Sequence, residues 1–293
     1  MPIRCKRMAD QVIINGAIYP LETPVIPATD LSFLRGCGAF ETWRSYQGQP
    51  HALGLHLQRL WQAAALFTVQ PLADEATIRQ WLREAQARSG YAEVKVNAVC
   101  SPGDHSEGVF GAIHPRLVII VRELHEPPAS WYQDGVSVIT HRGQRELPEH
   151  KTVNYLGGLA ALQQAQQAGA HEALYQDTEG CIREGVTSNV HVLHGSRVLS
   201  PQRGCLNGIT RRGLKPLAQE LGLSWHDQDL HMDDLLSADE VWLSSAIREI
   251  VPVVSVDGQA IKHGKPGPWA ERLRSLYRQR CESEALAEAR ACT

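Results

Sequence analysis

The chain has 293 residues, 43% of them hydrophobic and 21% charged, with a net charge of -3. That length allows two modest domains, each able to bury a core, and the near-neutral balance gives no electrostatic case for a nucleic acid or an anionic membrane as partner. The seven cysteines are scattered, odd in number and without zinc-type spacing, which argues against a disulfide framework and a metal site alike. The start, MPIRCKRMADQ, lacks the apolar stretch of a signal peptide, and no run approaches the ~20 apolar residues that span a bilayer. The expectation is a cytoplasmic protein.

In chain order, Gln11–Gly16 reads as a strand ending in an Asn-Gly turn, and Phe40–Tyr46 as a half-buried strand before the Gly48 turn. From Leu53 to Leu66 leucines and alanines recur at helical spacing, with His56 and Arg59 three apart on one face. A second amphipathic helix covers about Ala76–Arg88, and Val94–Cys100 and Arg116–Val121 read as strands joined by a loop containing Ser101-Pro102-Gly103-Asp104-His105. Glu126-Pro127-Pro128 marks a linker, because consecutive prolines favour an extended path. Beyond it, strands are expected at Val136–Thr140, Ala173–Gln176, Asn189–His194, Val241–Leu243 and Val251–Val256, with helices at Leu156–Ala168, Thr210–Glu220 and Pro268–Arg280 and a loose helical tail thereafter. Strands and helices mixed without strict alternation point to an α+β protein rather than a doubly wound sheet. The expected division is a domain over 1–124, a linker over 125–130, a larger domain over 131–280 and a tail over 281–293.

Three segments carry chemistry. The chain has only six lysines, and one of them, Lys151, stands in His150-Lys151-Thr152-Val153-Asn154-Tyr155-Leu156, just before a helix of small residues. At a pocket floor, desolvation favours the neutral amine and makes it a nucleophile for a carbonyl carbon; a surface lysine is the plain alternative. Glu184 closes an apolar strand ahead of the small-residue run Gly185-Val186-Thr187-Ser188, where a carboxylate can hold a pyridinium nitrogen protonated. An ordinary strand-end glutamate is the alternative there. Leu206-Asn207-Gly208-Ile209-Thr210 opens directly into a helix whose N–H groups, with the Thr210 hydroxyl, suit a phosphate, although Thr210 is equally compatible with a simple helix cap. Val241-Trp242-Leu243-Ser244-Ser245-Ala246-Ile247 offers a second strand-to-turn with hydroxyls.

In this order, Lys-x-x-Asn-Tyr-Leu from Lys151, Glu-Gly-x-x-Ser-Asn from Glu184, Asn-Gly-Ile-Thr-Arg from Asn207 and Ser-Ser-x-x-x-Glu-Ile-x-Pro-Val from Ser244 resemble the class IV aminotransferases. That family includes branched-chain and D-amino-acid aminotransferases, (R)-amine transaminases and aminodeoxychorismate lyase. Arg35-Gly36-Cys37-Gly38-Ala39-Phe40-Glu41-Thr42, followed by His56-Leu57-Gln58-Arg59-Leu60, resembles the family's N-terminal segments, so the likeness runs from about Val12 to Tyr277. It implies fold type IV, with a small N-terminal α/β domain and a larger C-terminal barrel-like domain, and a homodimer. The cofactor is then pyridoxal 5'-phosphate, carried by Lys151 as a Schiff base, with Lys151 also moving the proton between Cα and C4′. Glu184 is the partner of the pyridine nitrogen and Tyr155 of the ring's phenolic oxygen. Arg59, Ile209 and Thr210, with Ser245 and Ala246, hold the phosphate. The substrates are an amino donor and a 2-oxo acid, and the alternative activity is that of the lyase.

The sequence departs from the family at three places. Gly103 stands where D-amino-acid aminotransferases carry an arginine that traps the substrate carboxylate; His105 remains there, and Phe40 replaces the tyrosine of the same trap. Ala246 replaces a threonine that touches the phosphate, leaving Ser244 and Ser245. Asn154 follows Lys151 by three residues, a spacing closer to the D-amino-acid and lyase branches than to branched-chain enzymes. Phe40 and His105 are therefore the candidate substrate contacts, and hydrophobic amines or branched-chain amino acids are expected to be preferred over D-alanine. A further arginine, Arg44 or Arg142, is the alternative source of a carboxylate contact.

Overall fold

The structure is a computed structural model that describes residues 9–104 and 112–291, and every count below refers to these residues. By contacts the chain forms two units: the described residues of Met1–His125, His150–Asn154 and Cys281–Thr293, and those of Glu126–Glu149 and Tyr155–Arg280. Helix and strand are mixed in both, as the α+β reading expects. No helix is long and apolar enough to cross a membrane.

In the first unit, β1 (Gln11–Ile14) and β2 (Ala17–Pro20) turn at Asn15-Gly16, where both residues take positive φ, 47° and 94°, the conformation that makes this dipeptide a hairpin signal. Then come α1 (Leu31–Arg35), β3 (Ala39–Tyr46), β4 (Gln49–Pro50), α2 (Leu53–Ala64), α3 (Glu75–Ser89), β5 (Val94–Ser101) and β6 (Arg116–Glu123). The strands make one antiparallel sheet in the order β2-β1-β6-β5-β3-β4. Strand β5 alternates as its sequence does, sending Val94, Val96, Ala98 and Cys100 into a core shared with Leu53, Leu57 and Leu60 of α2 and Ile78 and Leu82 of α3. Each large side chain so buried contributes about 1.5–3 kcal/mol. The same period of two turns Ala39, Glu41 and Trp43 of β3 toward this core and Phe40 to the other face.

The second unit contains α4 (Ser130–Gln133), β7 (Val136–Arg142), α5 (Leu156–Gln167), β8 (Glu172–Gln176), β9 (Ile182–Gly185), β10 (Asn189–His194), β11 (Arg197–Ser200), α6 (Ile209–Glu220), β12 (Ser224–Asp227), α7 (Met232–Leu236), β13 (Glu240–Ser245), β14 (Glu249–Val256), β15 (Gln259–Ala260) and the start of α8 (Pro268–Ala291). The sheet runs β12-β11-β10-β13-β14-β7-β8-β9, with β15 beside β14. It mixes senses, with parallel pairs at β11–β12, β14–β7 and β7–β8. Val190, Val192, Val241, Leu243, Val251 and Val253 form its dry centre.

The tail expected after Arg280 as loosely helical is helical and continuous with α8 to Ala291, but it is anchored rather than loose. Cys281 and Ala285 are buried, and Glu284 and Glu288 bond His51 at 2.9 Å and Arg79 at 3.2 Å. These anchors lie far back in the sequence, so helical spacing alone does not reveal them.

Candidate active site

Lys151 is fixed by its backbone. Phe40 N donates to Lys151 O at 2.9 Å and Val153 N to Gly38 O at 3.0 Å, with Thr152 bridging Ala39. The segment His150–Asn154 thereby extends the start of β3 within the first unit. The half-buried Lys151 Nζ lies 4.3 Å from the centre of the Phe40 ring, over its aromatic face. Lysine and phenylalanine, predicted separately as cofactor and substrate contacts, are thus neighbours.

On the other face of β3, Glu41 is fully buried and receives Arg59 Nε at 2.6 Å, Arg59 Nη2 at 2.9 Å and His56 Nδ1 at 2.8 Å. Burial by itself would raise the Glu41 pKa; the Arg59 charge and the hydrogen bonds from His56 and Arg59 outweigh it and bring it down to about 2. Burial also lowers the pKa of His56. Arg59, expected as a phosphate ligand, here makes a bidentate pair with a carboxylate of its own chain. The helical spacing of His56 and Arg59 is legible in sequence; the partner that unites them is not.

In the loop where the resemblance places a carboxylate-binding arginine, the backbone leaves no room for one. Gly103 has φ +89°, and a Cβ there would lie 2.0 Å from Ile113 O and 2.4 Å from His114 O. No side chain fits, so the backbone itself excludes the family's arginine at this position. Its neighbour Asp104 pairs with Arg116 at 2.8 Å, and Arg116 also bonds Asp30 at 2.9 Å. His105 lies outside the described residues. Of the alternative arginines, Arg44 is buried with its guanidinium 4.7 Å from the Tyr46 ring centre, and Arg142 ends β7, exposed.

In the second unit, Glu184 is buried near the end of β9 and accepts Arg145 Nε at 2.8 Å, Arg145 Nη2 at 2.7 Å and the Leu206 N–H at 2.9 Å. Arg145 and Leu206 come from two irregular segments, which is why neither was foreseen. Tyr155 donates its hydroxyl to Val186 O at 2.8 Å. Burial, then the Glu172 carboxylate, push its pKa up to about 12, so it stays a neutral phenol. Glu172 is fully buried, takes Arg248 Nη2 at 3.1 Å and receives the Thr187 hydroxyl at 2.5 Å.

Helix α6 opens at Gly208, which is its N-cap and supplies no side-chain cap. A Cβ at Gly208 would lie 1.9 Å from Asn189 Oδ1, so a larger residue there would have to displace the Asn189 side chain. Thr210 is not the cap: it is buried in the first turn, 3.4 Å from the Tyr277 hydroxyl. Ile209 is the first helical residue, and Ala246 occupies the turn between β13 and β14, next to Ser245. A helix start without a side-chain cap leaves its first N–H groups open to water or to an anion. Within the second unit, the start of α6 and the buried Glu184 carboxylate are groups of the kind that a phosphate and a pyridine nitrogen each need. Asp177, Glu179 and Cys181 also approach one another, but Asp177 is engaged by Arg183 at 2.6 Å and by the Glu179 and Cys181 N–H groups at 2.9 Å, as a turn anchor.

Comparison with known proteins identifies the family. A sequence model of amino-transferase class IV matches residues 38–256, well over half of the chain. A D-alanine aminotransferase of Bacillus licheniformis is 31% identical over 281 residues, covering 94% of this chain and 98% of the relative. An aminodeoxychorismate lyase of Bacillus subtilis is 26% identical over 281 residues, 92% of this chain and 94% of the relative. A solved T.th. branched-chain amino acid aminotransferase with pyridoxamine 5'-phosphate superimposes with a TM-score of 0.88 at 25% identity, covering 95% of this chain and 96% of that one. This chain belongs to the class IV aminotransferase family and is a pyridoxal-phosphate-dependent enzyme.

Proposed function

We propose that the protein is a transaminase that moves an amino group between an amino acid or amine and a 2-oxo acid, with Lys151 as its catalytic residue. The observation that carries this reading is the Lys151 amine held by main-chain bonds against Phe40. Bound pyridoxal phosphate supplies the aldehyde that accepts the amino group and a ring that takes up the electron pair released at Cα. Lys151 Nζ would hold the cofactor's aldehyde carbon and, once the donor's amino group has replaced it there and freed it as an amine, would take the proton from Cα and return it at C4′. Glu184 keeps a negative charge at the pyridine nitrogen, and its bonds from Arg145 and Leu206 fix the carboxylate's orientation. The first N–H groups of α6, including those of Ile209 and Thr210, bind the phosphate with Ser245 and the backbone at Ala246, and Arg59 adds charge. Tyr155, whose hydroxyl donates to Val186 O in the unliganded protein, would be the neighbour of the ring's phenolic oxygen.

For the substrate, Phe40 makes an apolar wall beside Lys151, and Gly103 admits no arginine. A missing charged hydrogen bond to a carboxylate costs about 1.5–3 kcal/mol, roughly one to two orders of magnitude in specificity. The preferred donors are therefore hydrophobic amines or branched-chain amino acids, and His105 is retained as a proposed substrate contact. Specificity constants for L-leucine, (R)-1-phenylethylamine and D-alanine on one preparation test this; a wide margin for D-alanine, the direction of the Bacillus licheniformis relative, refutes it. The lyase relative supports a second reading, elimination of pyruvate. Reversible conversion of the cofactor between its aldehyde and amine forms by donor and 2-oxo acid separates the two.

We also propose a cytoplasmic homodimer. Val25 and Phe33 in the first unit and Leu156 and Leu159 in the second are 88%, 75%, 79% and 59% exposed, apolar surface that a second copy would cover.

A further inference from the structure

We infer that His191 is a positioning residue that commits Ser244 to the protein interior and leaves Ser245 as the hydroxyl that donates to the cofactor phosphate. This rests on the reading that the end of β13 and the start of α6 hold that phosphate. His191 is fully buried in β10, with Nδ1 at 3.0 Å from Ser200 Oγ of β11 and Nε2 at 2.8 Å from Ser244 Oγ of β13. The Trp225 ring stands 5.2 Å from it. Burial, and then the charge of Arg211, hold its pKa down to about 3, so the imidazole is neutral, with one nitrogen donating and the other accepting.

The neighbours decide which is which. Ser200 Oγ lies 3.1 Å from Val190 O, which only accepts, so the Ser200 hydrogen goes there. Arg211 Nε, which only donates, reaches the same oxygen at 3.1 Å. Ser200 Oγ is therefore an acceptor toward Nδ1, and Nδ1 carries the ring hydrogen. Nε2 then accepts, and Ser244 must donate to it. Ser244 is buried and makes no other side-chain hydrogen bond among the described residues. Its single hydrogen is used inside the sheet. With the opposite tautomer, Ser200 would need two hydrogens and that of Ser244 would have no acceptor in the sheet.

Ser245 is set up in the reverse sense. Side chains alternate along β13, so it leaves the face that Ser244 occupies, and it is half-buried. Arg248 Nε donates to Ser245 Oγ at 3.1 Å, while Arg248 Nη2 is anchored by Thr187 O at 3.0 Å and Glu172 at 3.1 Å. An arginine offers only donors, so the Ser245 hydrogen points away from it, available to an anion. The run Asp227, Arg211, Ser200, His191, Ser244 also ties the first turn of α6 to the end of β13, fixing the two arms of the cradle relative to each other.

Two measurements test this. Long-range proton–nitrogen correlation on histidine-labelled protein, with the signal assigned by its loss in His191→Gln, should show the neutral Nδ1–H tautomer throughout about pH 6 to 8; an Nε2–H tautomer or an imidazolium overturns the inference. Titration of apoprotein with pyridoxal phosphate should show Ser245→Ala weakening binding about tenfold and moving the phosphorus-31 signal, and Ser244→Ala by less than about threefold. His191→Gln, which keeps an acceptor near the Nε2 position, should retain more affinity than His191→Phe. Equal losses for the two serine variants overturn the inference. The tautomer is read in apoprotein as well, so a protein that binds no pyridoxal phosphate refutes the proposed function while His191 is still judged by its own signal.

Discussion

Glu184 and Arg145 form an ion pair with little room for compensation, since both side chains are largely buried. Glu184→Gln keeps the shape and removes the charge, leaving Arg145 as an uncompensated cation beside the position proposed for the pyridine nitrogen. A nitrogen that loses its proton makes a poorer electron sink. Turnover should therefore fall by two or more orders of magnitude while cofactor affinity changes less, measured by single-turnover kinetics beside a binding titration. Near-normal turnover would reduce Glu184 to an anchor for Arg145 and Leu206. The buried titratable groups make a separate prediction about pH. His191, and His56 in the same direction, have folded pKa values below the ordinary 6.5, so the unfolded chain binds more protons below that pH. The contribution of each to stability is present above about pH 6.5 and is lost as pH falls below that, for His191 down to about 3, by up to about 1.4 kcal/mol per pH unit for each proton. Glu41, depressed from 4.5 to about 2, adds its own loss only between those values. Denaturant titrations from pH 8 to about 4 should show this slope, and His191→Gln should flatten it; an unchanged slope contradicts a neutral buried His191. At this scale the motifs single out Lys151 and Glu184 as the candidates. The residues that orient their surroundings do not stand out: Arg145 lies in a stretch without periodicity, and His191 looks like one more residue of a strand. The available signal was a histidine in the run Asn189-Val190-His191-Val192-Leu193, because a strand buried on both faces can hold a histidine only if both ring nitrogens find partners.

Elements with strong periodicity were legible to within a few residues. Helices α2 and α3 carry apolar stripes facing one core, and α3 adds an Asp74 cap and a Gly90 terminus. Strands β11 and β12 and helix α7 escaped notice because they have four or five residues, too few for a period to show. Strand β12 is also largely exposed, and its place is set by parallel pairing with β11, a long-range fact. The carboxylate loop belongs to this scale. The sequence reading places Gly103 where the family has an arginine; the backbone of Ile113 and His114 closing over it appears only in three dimensions. Gly103→Ala should destabilise the protein by about 1–3 kcal/mol through positive φ and the clash, read as a lower thermal midpoint. An alanine variant of wild-type stability would mean that the loop has another accessible path and that an arginine trap is not excluded by the backbone.

For the molecule as a whole, composition and element order gave an α+β chain, and the ordered motifs gave its family, both of which agree with a sequence model matched over residues 38–256 and a superposition at TM-score 0.88. The contribution of His150–Asn154 to the first unit could not be read from chain order, since it depends on pairing with the start of β3. That pairing is what places an amine against Phe40, and the whole functional reading depends on it. The most direct test is to reduce the purified holoprotein with borohydride, making the cofactor attachment permanent, and to map the labelled peptide. Of the six lysines, the label should be found on Lys151, and Lys151→Ala should keep the fold while losing both label and turnover. A label on any other lysine, or full turnover without Lys151, would contradict the account.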